Sequence, residues 1–102
     1  MNDCCDMKGF LSFLVLRMIS QQELSGDDIR KELGKRKGCV PSAGTIYPVL
    51  KDLRNKGLII ETEATGRVKK YRITEKGKRE VENATKKFIT LFCDMKEDFR
   101  KA

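Results

Sequence analysis

Histidine is missing from this chain altogether, and with it the side chain that most often moves protons or ligates metal near neutral pH. No glycine-rich phosphate loop and no paired carboxylates in a cleft motif take its place. An enzyme is therefore the least expected class, and no catalytic residue, cofactor or metal-ligand set is expected. The four cysteines, Cys4, Cys5, Cys39 and Cys93, lack the two-residue spacing of a zinc site and the pattern of a secreted disulfide scaffold, so they read as reduced, incidental thiols. Long apolar runs are lacking too. The run from Phe10 to Leu16 is interrupted by Ser12 and stopped by Arg17, well short of the ~20 residues that span a bilayer. With no basic start and no small-residue cleavage site to mark a signal peptide, a cytoplasmic protein without a membrane partner is expected.

What the chain has in excess is positive charge: 22 Lys and Arg against 15 Asp and Glu, a formal net charge of +7. The excess is not spread evenly. From Ser25 to Glu80 there are 15 basic and 8 acidic residues, whereas the two flanks together hold 7 of each. Cationic charge concentrated in the middle of a chain suits a polyanionic partner. At 102 residues the chain fits a single domain spanning 1–102. A domain this small buries only about 60–70% of its unfolded surface, so a partner subunit would add stability.

Along the chain, DMKGFLSFLVLRMISQ predicts a first helix over 6–21, capped by Asp6 and apolar nearly all round, which requires burial on more than one face. Ser25 is placed to cap a second helix by accepting the backbone N–H of Asp28, with Ile29 and Leu33 facing inward. GKRKGCVPSAG, with three glycines and a proline, reads as a basic turn. Ser42 is the next N-cap, and Ile46, Val49, Leu50 and Leu53 form the inner stripe of a third helix over 42–56 that ends near Gly57. Pro48 within it leaves the Gly44 carbonyl without a helical donor, a modest cost so near the start. LIIETEAT and RVKKYRIT flank Thr65-Gly66 as the arms of a β-hairpin, with Leu58, Ile60 and Thr62 sharing one face and Tyr71 and Ile73 another. Thr74 caps a last helix of nearly 30 residues, in which Val81, Ala84, Phe88, Leu91, Met95 and Phe99 recur three or four residues apart. A helix that long overruns a domain of this size, so its apolar seam is expected to pack on a second subunit.

Helix, helix, turn, helix, hairpin, long helix is the winged helix-turn-helix arrangement: mainly α with a small β-hairpin and a long C-terminal dimerisation helix. Such a fold inserts one helix into the major groove, where base edges present readable donors and acceptors, while a basic hairpin grips nearby phosphates. The reader is the 42–56 helix, whose inner stripe leaves Ser42, Thr45, Tyr47, Lys51 and Arg54 facing outward. The wing at 65–70 carries Arg67, Lys69 and Lys70 toward phosphates or the minor groove. Segments 7–21 and 75–102 are expected to form the dimer interface, through Phe10, Leu14, Phe88, Leu91, Phe92, Met95 and Phe99. Phe10, Leu14, Phe88 and Phe92 are read as packed core rather than as walls of a cavity. The competing reading is a winged-helix interaction module whose basic face binds an acidic protein or RNA.

GTIYPVLKDLRNKGLI followed by GRVKKYRITEKGK resembles the PadR family of transcriptional regulators, with the signature intact at Gly44, Thr45, Ile46, Tyr47, Pro48, Leu50, Leu53, Gly57, Leu58, Tyr71, Thr74 and Gly77. With LVLRMISQQELSGDDIRKEL upstream, the resemblance covers roughly residues 10–80. It implies a homodimer on palindrome-like double-stranded DNA, usually as a repressor, with Ser42, Thr45 and Tyr47 contacting DNA from the third helix and Arg67, Lys69 and Lys70 from the wing. The short C-terminus is similar to that of the subgroup with one terminal helix. A small-molecule effector is a further partner the resemblance implies, because some members release DNA on binding phenolic or drug-like compounds. Tryptophans that stack on the effector in certain members have no counterpart here, since the chain has no Trp. Ser25-Gly26-Asp27 stands where the family often has a glycine-tyrosine pair.

Overall fold

The computed structural model describes residues 8–38, 40–62, 68–95 and 98. Its elements are α1 (Lys8–Gln21), β1 (Leu24–Ser25), α2 (Gly26–Lys37), α3 (Ala43–Asn55), β2 (Ile59–Thr62), β3 (Lys70–Ile73) and α4 (Glu75–Phe92), followed by a single 3-10 turn at Cys93–Met95. The winged helix-turn-helix order is present, mainly helical with a small antiparallel sheet. Asp6, the wing tip around Gly66, and Cys4, Cys5 and Cys39 lie outside the described residues.

Local chemistry sets where the helices begin and end. Ser25 Oγ accepts the Asp28 N–H at 3.0 Å, and the Asp28 carboxylate accepts the Ser25 N–H at the same distance, a reciprocal capping box at the start of α2. The backbone donor at Ser25 holds the Asp28 carboxyl below its ordinary value of 3.8, against an opposing push from partial burial. A lowered folded-state value means stability that is present above the ordinary value and lost as pH falls through the lowered one. Asp28→Ala is expected to cost about 1 kcal/mol in urea denaturation at neutral pH. The gap between variant and wild type should close as the pH drops below 3.8.

α2 ends where Gly38 takes the left-handed conformation, φ 80°, and α3 gives way to Gly57 at φ 76°. Thr74 starts α4 by accepting the Gly77 N–H at 3.0 Å while donating its hydroxyl proton to the Gly57 carbonyl at 2.7 Å. That one residue joins the end of α3 to the start of α4. Lys76 Nζ, 2.9 Å from the Lys56 carbonyl oxygen, ties the same corner.

The core is one apolar cluster. Val15, Ile29, Leu33, Ile46 and Ile59 are fully buried, with Leu11, Met18, Ile19, Leu50, Leu53, Tyr71, Ile73 and Val81 around them. α1 lies at its centre, packed against α3, β3 and α4, which is why its sequence is apolar on several sides. Ile46, Leu50 and Leu53 turn inward from α3, with Val49 half-buried beside them, and this determines which α3 residues remain outside.

Four expectations need correction. The glycine-rich stretch is not all turn: α2 runs on through Lys37. Gly34 lies inside that helix, where an added Cβ would come within 2.6 Å of Val40 Cγ2. The hairpin belongs to a three-stranded sheet of order β1-β3-β2, in which Leu24 pairs with Tyr71; two residues are too few to show a strand period. In β2 the inward side is that of Ile59, fully buried opposite Ile73, whereas Ile60 is 45% exposed. Leu58 is buried as well, but from the turn before the strand, so its burial does not report the strand's alternation. Finally, the described helix α4 stops at Phe92. Of the expected seam, Val81 joins the protomer's own core, Ala84 and Phe88 are half-buried, Leu91 is 71% and Met95 37% exposed, and Phe99 lies outside the described residues.

Candidate nucleic-acid interface

With Ile46, Leu50 and Leu53 committed to the core, helical spacing puts Tyr47, Lys51 and Arg54 in one outward stripe. All three are exposed. They line a shallow groove of about 160 Å³ whose other wall is Glu61 of β2 and Tyr71 of β3. Thus the outward face of α3 and the inner face of the wing strands form a single surface.

At the start of α3, Ser42 occupies the N-cap position with extended backbone, but its side chain caps no backbone N–H. Its hydroxyl lies 3.0 Å from that of Thr45, and either oxygen can be the donor. Two of the predicted reading side chains are therefore paired with each other at an exposed helix start, leaving further donor and acceptor capacity on both. Tyr47 is 46% exposed, yet one side of its ring rests on the backbone of Gly26 at the head of α2, where a Cβ would come within 2.7 Å of the ring. The packed atoms are at the hydroxyl end, Cζ, Cε1 and the hydroxyl oxygen, so contact with α2 orients a ring that stays half open to solvent. The turn ahead of α3 is pinned by Arg30, whose Nε donates to the Pro41 carbonyl at 2.8 Å. Nothing in the sequence marks that bond, because its partners are eleven residues apart and on different elements.

Strand alternation divides the wing's cations. Lys69 Nζ is 3.9 Å from Glu61 Oε2, and Glu61 Oε1 accepts from Arg54 Nη1 at 2.7 Å, so Lys69 stands on the same side as the α3 stripe. Lys70 stands on the other side. It borders a groove of about 480 Å³ with Glu23, Asp28, Lys31, Glu32, Lys35 and Arg36, next to α2. Arg72 shares that outer side and pairs with Glu23 at 3.3 Å. The two neighbouring lysines are therefore separated: Lys69 stands with Tyr47, Lys51 and Arg54 through Glu61, Lys70 borders the α2 groove, and Ser42 and Thr45 sit apart from that groove at the exposed start of α3. Arg67 lies outside the described residues.

Glu61 is the participant that sequence reasoning missed. Its alternation with Ile59 was the available signal, once the inner side of β2 is known. Tyr71, behind it, is buried, and burial followed by the Glu61 charge pushes its phenol above the ordinary 10.0, keeping it neutral at any ordinary pH.

Between α1 and α4, Phe10 meets Phe88 edge-on with ring centres 6.1 Å apart, and Phe88 lies 4.9 Å from Phe92. Phe10, Phe13, Ala84 and Phe88 line an open apolar cavity of about 320 Å³, so this region is less tightly filled than the packed-core expectation. Leu14 instead packs on the core cluster. Among the described residues no cluster of three metal-ligating side chains occurs, and no helix is long and apolar enough to cross a membrane.

The family model described as transcriptional regulator PadR-like matches residues 15–83. Among solved structures, RosR of H. salinarum is 27% identical, with a TM-score of 0.75 over 97% of this chain and 92% of that one. A PadR family transcriptional regulator from Eggerthella lenta is 26% identical, with a TM-score of 0.74 over 93% of this chain and 85% of that one. A PadR family transcription regulator from Clostridium difficile shares the fold at 24% identity and a TM-score of 0.78, over 89% of this chain and 99% of that one. No curated protein matches the chain.

Proposed function

Because the chain belongs to the PadR-like family of transcriptional regulators, we propose that it represses transcription as a homodimer on a palindrome-like duplex, each protomer placing α3 in a major groove. The observation that carries this reading is the continuity of the Tyr47, Lys51 and Arg54 stripe with Lys69 of the wing, linked through Glu61. A helix presenting small polar residues at its start and cations further along suits base edges flanked by phosphates. Ser42, Thr45 and Tyr47 read bases, Lys51 and Lys69 meet phosphates, and Arg67 is a further DNA contact that the family resemblance implies. Lys70, turned toward α2, reaches only a peripheral phosphate.

The second protomer covers the α1 and α4 faces that Phe10, Phe92, Leu91 and Met95 leave partly or largely open. Such coverage favours dimers, because exposed apolar area gains about 25 cal/mol per Å² on burial. Leu91→Asp is expected to shift the chain toward monomers in sedimentation equilibrium while leaving the protomer's circular dichroism intact, since Leu91 touches little within its own chain. An unchanged dimer fraction would exclude Leu91 from the contact. An effector entering the cavity beside Phe10 and Phe88 would act on this same assembly.

The whole reading is tested by anisotropy titrations at low salt with the duplex upstream of the chain's own coding region and with random duplex. Tighter binding to the former, two chains per duplex, is expected. Equal affinity for both, or preference for RNA, would favour the interaction-module reading instead.

A further inference from the structure

Among the described residues, the groove between α3 and the wing is lined by one group of the wrong sign, Glu61. Glu61 is 30% exposed by side chain, less than either cation it meets: Arg54 is 45% and Lys69 71% exposed. Its two oxygens are divided between them. Oε1 accepts the Arg54 guanidinium at 2.7 Å and Oε2 lies 3.9 Å from the Lys69 ammonium. The two cations come from different elements, the reader helix and the wing, so the carboxylate sits at the join of the two parts of the interface. Its backbone is fixed by the ladder, with Glu61 opposite Tyr71. Its side chain lines the same groove as Tyr47 and Lys51, from the opposite wall. Salt bridges of α2 and α3 elsewhere link residues three or four apart on their own helix surfaces. Glu61 is different in joining separate elements on the face where positive charge would be used.

Resting on the DNA-binding reading above, we propose that Glu61 is an electrostatic counterweight: by occupying Arg54 and Lys69 it lowers the affinity of this face for duplex DNA of any sequence. A phosphate approaching Arg54 or Lys69 competes with a carboxylate already in place, and the carboxylate itself repels the phosphate. Each cation so occupied contributes less to the counterion release that drives sequence-independent binding. Contacts to base edges by Thr45 and Tyr47 do not involve Glu61. Its charge therefore reduces the non-specific background while leaving sequence reading in place, a form of discrimination achieved by weakening the wrong complexes. Exposed ion pairs are individually weak, so the counterweight is a modest one and does not block binding.

The test uses the full chain and a random-sequence duplex of about 25 base pairs, a little over two helical turns. Glu61→Gln keeps the size and hydrogen-bonding capacity of the side chain and removes its charge. The random-duplex dissociation constant is expected to drop about three- to tenfold near 0.1 M salt, and the slope of log affinity against log salt to steepen by about one. The same change made in an Arg54→Gln background should recover less than half of that gain, on a logarithmic scale. Weaker or unchanged binding by Glu61→Gln overturns the proposal. So does an equal gain when Arg54 is absent, because the charge would then act at a distance and not through this pair. If the wild-type chain and Glu61→Gln both fail to bind duplex at low salt, the DNA-binding reading itself fails, a result distinct from binding that ignores Glu61.

Discussion

Replacing Gly77 with alanine is expected to destabilise the protein by about 2 kcal/mol or more, lowering its melting temperature by roughly 10 °C. Gly77 lies in the first turn of α4, its N–H bonded to Thr74 Oγ1. A Cβ there would come within 2.6 Å of Ile73 Cγ1 and closer still to the Leu58 carbonyl oxygen. That oxygen cannot retreat freely, since it accepts the Thr74 N–H at 3.0 Å. In an exposed helix interior the same substitution stabilises by up to ~1 kcal/mol, but steric overlap with fixed backbone outweighs it here. Gly44 supplies the control. A Cβ there meets nothing closer than Ser42 Oγ at 3.8 Å, so Gly44→Ala should be neutral or stabilise slightly. Urea denaturation of the two variants side by side separates a packing requirement from glycine's general effect on helices, and equal midpoints would remove the steric argument.

Tyr47→Ala carries the largest expected effect on recognition. Loss of a reading side chain costs about 1–3 kcal/mol against the preferred sequence, roughly 5- to 150-fold, while random-duplex binding changes little. Lys69→Ala should behave oppositely, weakening both duplexes alike and reducing the salt slope by about 0.9. Lys70→Ala should do less than Lys69→Ala, because Lys70 borders the α2 groove away from the α3 stripe. Anisotropy titrations over a salt series distinguish these patterns. Equal losses for Tyr47→Ala and Lys69→Ala on both duplexes would end the division between reading and gripping. Tyr47 also packs on Gly26, so Tyr47→Phe serves as the partner variant: it keeps the ring carbons against Gly26 and removes the hydroxyl with its share of that contact.

Much of this surface was legible in the chain. The period of Ile46, Leu50 and Leu53 identifies the inner side of α3 and hence, by subtraction, Tyr47, Lys51 and Arg54 on the outer side. Ser25 and Thr74 announce two helix starts because a hydroxyl three residues ahead of the backbone N–H it caps is a local signal. What was not legible depended on distant pairs. The two-residue β1, the Arg30 bond to Pro41, and the meeting of Arg54 with Glu61 each join segments whose proximity only the folded chain creates. The wing's parity failed for a related reason: Leu58 is buried from a turn, so counting alternation from it assigns Ile60 to the wrong side and hides Glu61. With that parity corrected, Lys69 and Lys70 necessarily part company.

The central claim is that α3 and the wing form one duplex-reading surface, presented twice by a symmetric pair of chains. Selecting bound duplexes from a random-sequence pool tests it most directly. Enrichment of a two-fold symmetric sequence, with half-sites about one helical turn or a whole multiple apart, is the predicted outcome. A recovered pool as random as the starting one would contradict it.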